Sequence, residues 1–496
     1  MSADTADLSE IENFLSQGPI PGFAGGEELP SSSGDIFAVH DPGSGEKLVE
    51  VHNLQAADVD AAVELAGKAF ENAAWSKLPV NERCVYLHRL ADEVERRKPT
   101  LALLESMDCG KILVQAGDDV QNFIDTLRYF ADLAQNLHLR NVIAVKGHEA
   151  AYARHPWGVC GSIVPWNFPF LLCGWGIAPA LAAGNTVVVK PAEDTPLTTL
   201  YLARMVKELG FPDGVVNVVP GLGEVTGAAL AANPKLARMS FTGSPEVGRL
   251  VAAACGRNLV PVKLELGGKG AAVVFDDVDL PETAQKLVDA ITFHTGQVCC
   301  DATRWLVQIP VYEAFVSEVA ERMKKVVVGY PADEAAQMGP VVNATQKKRV
   351  LGYLEKGVNE GAEVVLEGGA AEVEGRPDGH YVKPALLAGS LDNVAAREEI
   401  FGPVAYLAPF EDEAEGLAKA NDSPYGLANS VWSSDLGRCR RVAEQFVAGN
   451  GWINSHNVVV HGVPYGGVKQ SGMGGGVGSL ETLLDYYRGI SVIRPL

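Results

Sequence analysis

A chain of 496 residues is too long for a single hydrophobic core, so two or three domains are expected. Hydrophobic residues make up 47% and charged residues 21% of the chain, as in ordinary globular proteins. The formal net charge of -21 argues against a nucleic-acid or anionic-membrane partner, because long-range repulsion would oppose the encounter.

The N-terminus and the cysteines indicate the compartment. The chain begins MSADTADLSEIENF, with no basic segment leading into an apolar run, so no secretory signal is predicted. The eight cysteines lack zinc-like spacing, and we expect no metal site. Without a secretory signal these thiols are expected to be free in a reducing compartment, and we predict a cytoplasmic protein.

The first long segment, 56–137, predicts helices, because apolar residues such as Val59, Val63 and Ala66 recur at helical spacing. The segment 156–189 contains no charged side chain and is long enough to span a bilayer. Prolines, glycines and asparagines interrupt it. We therefore interpret it as strand, turn, helix and strand of a buried core rather than as a membrane span.

Short apolar strands alternate with helices from about residue 157. The strands are predicted at 158–164, 186–190, 215–219 and near 238–243. Valine-rich strands joined by helices predict a parallel sheet covered on both faces. Ligands of such sheets lie beyond the carboxyl ends of the strands.

A second α/β segment is predicted over 261–466. Its strands are expected at 271–275, 304–309 and 404–410. Two further pieces, 138–156 and the C-terminal GISVIRPL, look strand-like, but neither joins a compact unit by sequence order. Strands left over in this way often pair with each other or with another subunit.

The sequence TGQVCC carries a candidate nucleophile at Cys299. A thiol becomes reactive when it is ionised and exposed, and the glycine just before it leaves room for a small ligand. Two buried structural cysteines are the alternative, and a Cys-Cys pair taken alone would favour it. The other motifs of the chain therefore decide between the two interpretations.

Two more motifs carry residues with suitable chemistry. In LELGGK, Glu265 stands at a strand end beside a Gly-Gly turn and is free to move, which suits a base that serves more than one step. In PWNFP, the amide of Asn167 donates hydrogen bonds without titrating, as an oxyanion hole requires. The alternatives are a solvated strand-end charge for Glu265 and a helix N-cap for Asn167.

Together, these motifs resemble the aldehyde dehydrogenase superfamily, in its NAD(P)-dependent, hydrolytic, non-phosphorylating branch. The resemblance covers nearly the whole chain, and its motifs fall in the family's order. They are PWNFP (165–169), VVVKPAED (187–194), FTGSPEVG (241–248), LELGGK (264–269), GQVCC (296–300), EEIFGPV (398–404), YGLANSVW (425–432) and PYGGVKQSG (464–472).

The resemblance implies an enzyme that oxidises an aldehyde to its carboxylic acid through a thiohemiacetal and a thioester. Cys299 would be the nucleophile, Glu265 the general base, and Asn167 the oxyanion donor together with the backbone N–H of Cys299. Two alternatives stay open: a CoA-acylating aldehyde dehydrogenase, which typically lacks the glutamate found here at 265, and a non-catalytic structural protein of the same fold.

The resemblance also assigns cofactor and substrate positions. NAD is expected to contact Trp166, Lys190, Glu193, Gly243, Ser244, Glu399 and Phe401. The aldehyde channel is expected to be lined by Phe168, Trp175, Val298 and Tyr465, with Leu172, Phe293, His456 and Val459. Because Glu193 would repel a 2′-phosphate, NADP is less favoured than NAD. No Arg or Lys occurs in the channel set, so a neutral or cationic aldehyde is expected.

The implied fold is an NAD-binding α/β domain with a parallel sheet, a catalytic α/β domain and a small β arm for assembly into a homodimer or homotetramer. The boundaries expected are 1–137 with 157–260 for the NAD-binding domain, 261–466 for the catalytic domain, and 138–156 with 467–496 for the arm.

Two segments depart from the family's pattern. After PYGGVKQSG the chain continues MGGG, where many relatives carry an Arg and an acid, so the packing of the tail is expected to differ. His294 and Thr295 stand where Asn and Gln are frequent, so the pocket floor near Cys299 is expected to differ as well.

Overall fold

The computed structural model describes residues 7–496. The first six residues lie outside the described residues, and they are part of the N-terminal segment in which no secretory signal is expected. The elements up to residue 135 are α1 (Leu8–Ser16), β1 (Gly22–Ala24), β2 (Glu27–Leu29), β3 (Ile36–His40), β4 (Lys47–His52), α2 (Ala56–Glu71), α3 (Val80–Arg96), α4 (Lys98–Cys109) and α5 (Leu113–Gln135).

The middle of the chain alternates strands and helices, as the sequence predicts. Its elements are β5 (Arg140–Val145), β6 (His148–Pro156), β7 (Val159–Ile163), α6 (Pro169–Ala183), β8 (Thr186–Lys190), α7 (Leu197–Glu208), β9 (Val216–Val218), a π-helical turn (Gly223–Gly227), α8 (Ala228–Ala232), β10 (Arg238–Gly243), α9 (Pro245–Arg257) and β11 (Val262–Leu266).

The second α/β segment follows. Up to residue 410 it contains β12 (Gly270–Val274), α10 (Leu280–Thr292), β13 (Ala302–Gln308), α11 (Tyr312–Met323), α12 (Ala344–Asn359), β14 (Glu363–Leu366), β15 (Gly369–Ala370), β16 (Val382–Lys383), β17 (Ala385–Ala388), α13 (Val394–Arg397) and β18 (Val404–Phe410). The remaining elements are α14 (Glu413–Asn421), β19 (Ala428–Trp432), α15 (Leu436–Ala443), β20 (Asn450–Ile453), β21 (Gly472–Met473), α16 (Leu480–Asp485) and β22 (Tyr487–Pro495).

The first sheet has eight strands in the order β2-β1-β9-β8-β7-β10-β11-β21. Its five central strands run parallel, as predicted from the alternation of strands and helices. The uncharged stretch forms β7, α6 and β8, with the left-handed Gly184 (φ 94°) ending α6. Within residues 7–496, no helix combines the length and the apolar character needed to cross a membrane.

The first sheet extends past the boundary expected at residue 260. Strand β11 pairs in parallel with β10, with Thr242 opposite Glu265. On its other side, β11 pairs antiparallel with β21, with Gly472 opposite Glu265. Glu265 therefore belongs to the first sheet rather than to the second, and a piece of the expected arm completes the edge of that sheet.

The second sheet has seven strands in the order β14-β17-β18-β13-β12-β19-β20. All its pairings are parallel except that of β14 with β17. Trp305 on β13 and Trp432 on β19 are fully buried in its core. This part of the chain is thus a second parallel α/β unit.

The two strand-like pieces that the sequence assigns to no compact unit, 138–156 and the C-terminal GISVIRPL, pair with each other. Strand β6 lies between β5 and β22 in an antiparallel sheet, with Ile490 opposite Ala153. Val142 on β5 is 81% exposed and Ile493 on β22 is 64% exposed. Apolar side chains therefore cover part of the solvent-facing surface of this three-stranded arm.

Candidate active site

One cavity of about 510 Å³ collects the three residues expected to carry the chemistry, Asn167, Glu265 and Cys299. The segments that line it leave the first sheet at the carboxyl ends of β7, β10 and β11. This is the edge at which parallel sheets bind ligands. Cys299 comes from the opposite wall, on the loop that precedes β13 of the second sheet.

The loop before Cys299 is held in an unusual backbone conformation. His294 and Thr295 have positive φ angles of 45° and 58°, which non-glycine residues rarely adopt. At Gly296 a Cβ would lie 2.3 Å from the backbone of Gly402, so only glycine fits there. The buried Gln297 fixes the loop further, because its side-chain oxygen accepts a hydrogen bond from the backbone N–H of Val342 at 2.9 Å.

The two adjacent cysteines have different surroundings. Cys299 is partly exposed, and its Sγ lies 3.6 Å from the phenol oxygen of Tyr465. Cys300 is buried, with its Sγ 3.5 Å from Oδ1 of Asn457. Hydrogen bonds from Cys300 and Tyr465 lower the pKa of Cys299 against the effect of burial, whereas the pKa of Cys300 lies well above its usual value. Cys299 is therefore the thiol that ionises more readily.

Glu265 is the penultimate residue of β11, lines the cavity and is 6% exposed. Neither of its carboxylate oxygens has a hydrogen-bond partner among the residues that the structure describes. Burial raises the pKa of Glu265 well above its ordinary range, Lys263 acts in the opposite direction, and the nearby charge of Cys299 adds to the rise. Such a carboxyl group, once ionised, is a strong base.

The side chain of Asn167 is oriented by the Cys299 loop. Its Nδ2 donates to the carbonyl oxygen of Gln297 at 2.9 Å. Because an amide nitrogen carries two hydrogens, the second stays available for a ligand. The backbone oxygen of Asn167 accepts a hydrogen bond from Lys111 at 3.0 Å, and Lys111 in turn pairs with Asp119. Sequence reasoning missed this buried lysine, since no motif marks it.

Five of the seven expected cofactor positions line the cavity: Trp166, Gly243, Ser244, Glu399 and Phe401. The rings of Trp166 and Phe401 meet edge to face with their centres 5.2 Å apart. Gly243 and Ser244 lie at the N-terminus of α9, where Ser244 caps the helix by accepting from the N–H of Val247 at 3.3 Å. The amino end of a helix this long favours an anionic group such as a phosphate.

Glu399 is half-buried against the turn that follows Glu265. Its Oε1 accepts a hydrogen bond from the N–H of Gly268 at 2.9 Å. A Cβ at Gly267 would lie 2.2 Å from its Oε2, so a larger residue there would displace this carboxylate. Burial raises the pKa of Glu399 to about 7, although the N–H of Gly268 and the charge of Arg349 act against the rise.

Lys190 and Glu193 do not line this cavity. They follow β8, and their side chains form an ion pair with Nζ and Oε2 2.6 Å apart. The other oxygen of Glu193 accepts from the N–H of Gly223 at 3.1 Å. The backbone oxygen of Lys190 accepts from the N–H of Val164 at 3.0 Å, which places the pair beside the turn that carries Trp166. The pair therefore lies at the same edge of the sheet but outside the central cavity.

Known proteins match the chain along most of its length. The sequence model of the Aldehyde dehydrogenase family matches residues 29–492. The chain belongs to this family. Retinal dehydrogenase 2 of Homo sapiens is 41% identical over 457 residues, which are 91% of this chain and 87% of that protein.

Solved structures of related enzymes have the same fold. Betaine aldehyde dehydrogenase from Staphylococcus aureus, in complex with NAD+, matches with a TM-score of 0.95 and 32% identity over 98% of this chain and 97% of its own. An aldehyde dehydrogenase from Bacillus cereus, also an NAD+ complex, has a TM-score of 0.94 and 36% identity, and the match covers 98% of each chain.

In this aldehyde dehydrogenase, the expected channel residues pack into one cluster beside Cys299. The cluster contains Phe168, Trp175, Phe293, Val298, Val459 and Tyr465, with Cys300, Leu427, Ala428, Trp452 and Val477, which the sequence did not single out. The rings of Trp175 and Tyr465 lie 5.5 Å apart. Leu172 instead borders the central cavity.

The polar groups around this cluster are already engaged. Trp175 donates its ring N–H to Oδ1 of Asn122 at 2.9 Å. The ring nitrogens of His456 lie 3.0 Å from the hydroxyl of Ser430 and 2.8 Å from the carbonyl oxygen of Cys300. Burial lowers the pKa of His456 to about 4, so its ring is neutral at pH 7. The positions expected to line the channel therefore offer aromatic and aliphatic contacts and no cationic side chain.

Proposed function

We propose that Cys299, Glu265 and Asn167 carry out the oxidation of an aldehyde to its carboxylic acid in this aldehyde dehydrogenase, with NAD as the hydride acceptor. The observation that supports the proposal most directly is their convergence on one cavity from three separate parts of the chain. The Cys299 thiolate attacks the aldehyde carbon, and the free hydrogen of the Asn167 amide stabilises the oxyanion of the thiohemiacetal.

The cavity fits a dinucleotide. An α9 N-terminus beside the cavity suits the pyrophosphate, and the Trp166–Phe401 wall suits a planar ring. The NAD+ complexes of the related enzymes support the same cofactor here. When bound, the nicotinamide supplies the hydride acceptor that turns the thiohemiacetal into a thioester.

Glu265 completes the reaction. It takes a proton from water, the resulting hydroxide attacks the thioester carbon, and the Cys299 thiolate leaves as the carboxylic acid forms. Release of the acid does not require CoA, because Glu265 lines the same cavity as Cys299 and can activate water there. A non-catalytic role is disfavoured because all three proposed catalytic groups share the cavity.

An assay of NADH production with a panel of aldehydes, with and without CoA, tests the function. We expect turnover without CoA, and a kcat/KM at least about tenfold higher for neutral or cationic aldehydes than for succinate semialdehyde of similar length. The reason is that the channel cluster has aromatic faces but no cation to pair with a carboxylate. Turnover only with CoA would contradict the hydrolytic mechanism, and a clear preference for succinate semialdehyde would contradict the substrate class.

The carboxylate of Glu193, which pairs with Lys190, predicts a preference for NAD over NADP. Its negative charge lies at the proposed position of the ribose. Burial opposes that charge, but Lys190 and the N–H of Gly223 keep the pKa of Glu193 below its usual value. A like-charge clash with a 2′-phosphate of a few kcal/mol corresponds to roughly a hundredfold in kcat/KM. Glu193→Gln should raise the NADP-to-NAD ratio of kcat/KM by about tenfold or more.

A neighbouring carboxylate provides the control for this test. Glu224 is exposed and follows Gly223, which contacts Glu193. Glu224→Gln removes the same charge nearby and should leave the NADP-to-NAD ratio almost unchanged. Equal shifts in the two variants would point to the overall negative potential of this region rather than to a contact between Glu193 and the ribose. Equal use of both cofactors by the unaltered enzyme would refute the assignment of Glu193 to the ribose position.

The three-stranded arm and the thiols support two further parts of the proposal. Exposed Val142 and Ile493 lie on opposite faces of the arm, and each adds apolar area that assembly would bury, so we infer a homodimer or homotetramer, to be tested by the molar mass in solution. All eight cysteines are free thiols, which favours a reducing compartment such as the cytoplasm. Localisation of the tagged protein in cells tests this assignment.

A further inference from the structure

A buried lysine lies on the same strand face as Glu265. Lys263 and Glu265 are two residues apart on β11, so their side chains point to the same side of the first sheet. Lys263 is only 1% exposed, and the mechanism described so far gives it no role. A buried ammonium group is costly unless an opposite charge compensates it.

Two adjoining glycine segments lie against these side chains, one at Gly474 and Gly476 and the other at Gly466. The ammonium of Lys263 donates a hydrogen bond to the carbonyl oxygen of Gly476. At Gly474, which has a φ of 92°, a Cβ would lie 3.1 Å from Cα of Lys263. At Gly466 a Cβ would lie 3.2 Å from Oε1 of Glu265 and 2.9 Å from Cα of Gly476. The backbone at Gly474 and Gly476 therefore packs against the lysine, and the adjoining backbone at Gly466 packs against the carboxylate.

The other ionisable groups that act on this pair are Arg238, Asp485 and Cys299. Arg238 of β10 forms an ion pair with Asp485 of α16, with Nη2 and Oδ2 3.3 Å apart. On the cavity side, Cys299 opposes the ionisation of Glu265. Burial lowers the pKa of Lys263 to about 8, while Glu265 and Asp485 favour its charged form and Arg238 opposes it. Lys263 and Glu265 thus each favour the charged form of the other.

We propose that Lys263 is a positioning residue of the reaction, whose ammonium group favours the ionised form of Glu265 against the effect of burial, so that the carboxylate can take the proton of the attacking water. Lys263 does not line the cavity that contains Cys299, so it acts through Glu265 and not on the substrate. The inference rests on the role proposed for Glu265 as the base of thioester hydrolysis.

The pH profile of kcat tests this inference. Water activation needs ionised Glu265, so kcat rises with pH through the pKa of this group. Lys263→Met keeps the length of the side chain and removes its charge, which makes ionisation of Glu265 harder. We expect the rising limb of the profile to move upward by about one pH unit or more, and turnover below the limb to fall about tenfold per unit. The NADH burst of the first turnover should keep its amplitude, because it precedes hydrolysis.

Four further variants separate charge from packing. Lys263→Arg keeps the charge, and the limb should stay near that of the unaltered enzyme. Arg238→Met removes another buried cation of the same sheet face, but one already paired with Asp485, so its limb should move much less. The double variant that combines Lys263→Met with Glu265→Gln should have the same pH profile as Glu265→Gln alone, because the carboxylate on which Lys263 acts is then absent. Lys263→Gln is a second variant without the charge. The melting temperatures of all variants show whether any of them has lost stability.

Different results would contradict the role of Lys263 and the role of Glu265. An unchanged limb in both Lys263→Met and Lys263→Gln, or an equal shift in Arg238→Met, would overturn the role of Lys263 alone. Undiminished turnover in Glu265→Gln would instead remove the proposed base, and with it the mechanism on which the inference rests.

Discussion

Replacing Cys299 by alanine is expected to abolish aldehyde-dependent NADH production, with a loss of at least about 10⁴-fold in kcat. Within the described part of the chain, Cys299 is the only cysteine that lines the cavity shared with Glu265 and Asn167. The thiohemiacetal cannot form without it, so neither hydride transfer nor hydrolysis can follow. NADH absorbance in the steady state measures the loss, and binding of NAD to the variant, followed by tryptophan fluorescence, checks that the site is still folded.

The neighbouring thiol provides a matched control. Cys300→Ala should retain most of the turnover, because the Cys300 thiol lies beside Asn457 and its raised pKa keeps it protonated. It also donates to Cys299, so a modest upward shift in the pH at which Cys299 ionises is expected. If Cys300→Ala were inactive and Cys299→Ala active, the nucleophile would be assigned to the wrong residue.

The sequence predicted the parallel sheets well because their strands are buried on both faces. Runs such as residues 186–190 have no alternation of polar and apolar residues, and the structure buries every residue of β8. This pattern is typical of a central parallel strand and hardly depends on distant contacts. The same reasoning correctly interpreted the uncharged stretch before β8 as core.

The edge of the first sheet was harder to predict. Strand β21 has only two residues, Gly472 and Met473, and pairs with β11 across more than two hundred residues of chain. A strand so short has no periodicity to detect. The boundary expected at residue 260 missed β11 for a related reason: VKLEL lies between two α/β units, and strand pairing rather than composition decides which sheet it joins.

Site prediction had a similar limit. The motifs identified Asn167 and Cys299, but not the contacts that orient them. Asn167 is held by the carbonyl oxygen of Gln297 and by Lys111, at sequence separations of 130 and 56 residues. Lysines are almost always exposed, so a sequence gives no reason to bury Lys111 or Lys263. Such second contacts follow from the tertiary fold alone.

Replacing Glu265 by glutamine is expected to lower steady-state turnover by roughly 10²- to 10⁴-fold, the usual scale for the loss of a general base. Glutamine keeps the size of the side chain and removes only its ability to take a proton. In the unaltered enzyme, burial raises the pKa of Glu265, so activity should fall as the pH drops through that raised value and the carboxylate becomes protonated. The glutamine variant should lose this part of the pH profile.

The first turnover of Glu265→Gln separates hydride transfer from hydrolysis. If Glu265 serves hydrolysis alone, NADH should appear in a burst of about one equivalent per active site, and mass spectrometry should find Cys299 acylated. If Glu265 also accepts the proton of the thiol, the burst itself should slow, and raising the pH should partly restore its rate, since hydroxide ionises a cysteine without help. Asn167→Ala is the matched comparison: it removes the oxyanion donor, so it should slow the burst and leave no acylated enzyme to accumulate. Steady-state turnover that Glu265→Gln leaves undiminished would mean that another group activates the water, and Glu265 could then no longer be the base.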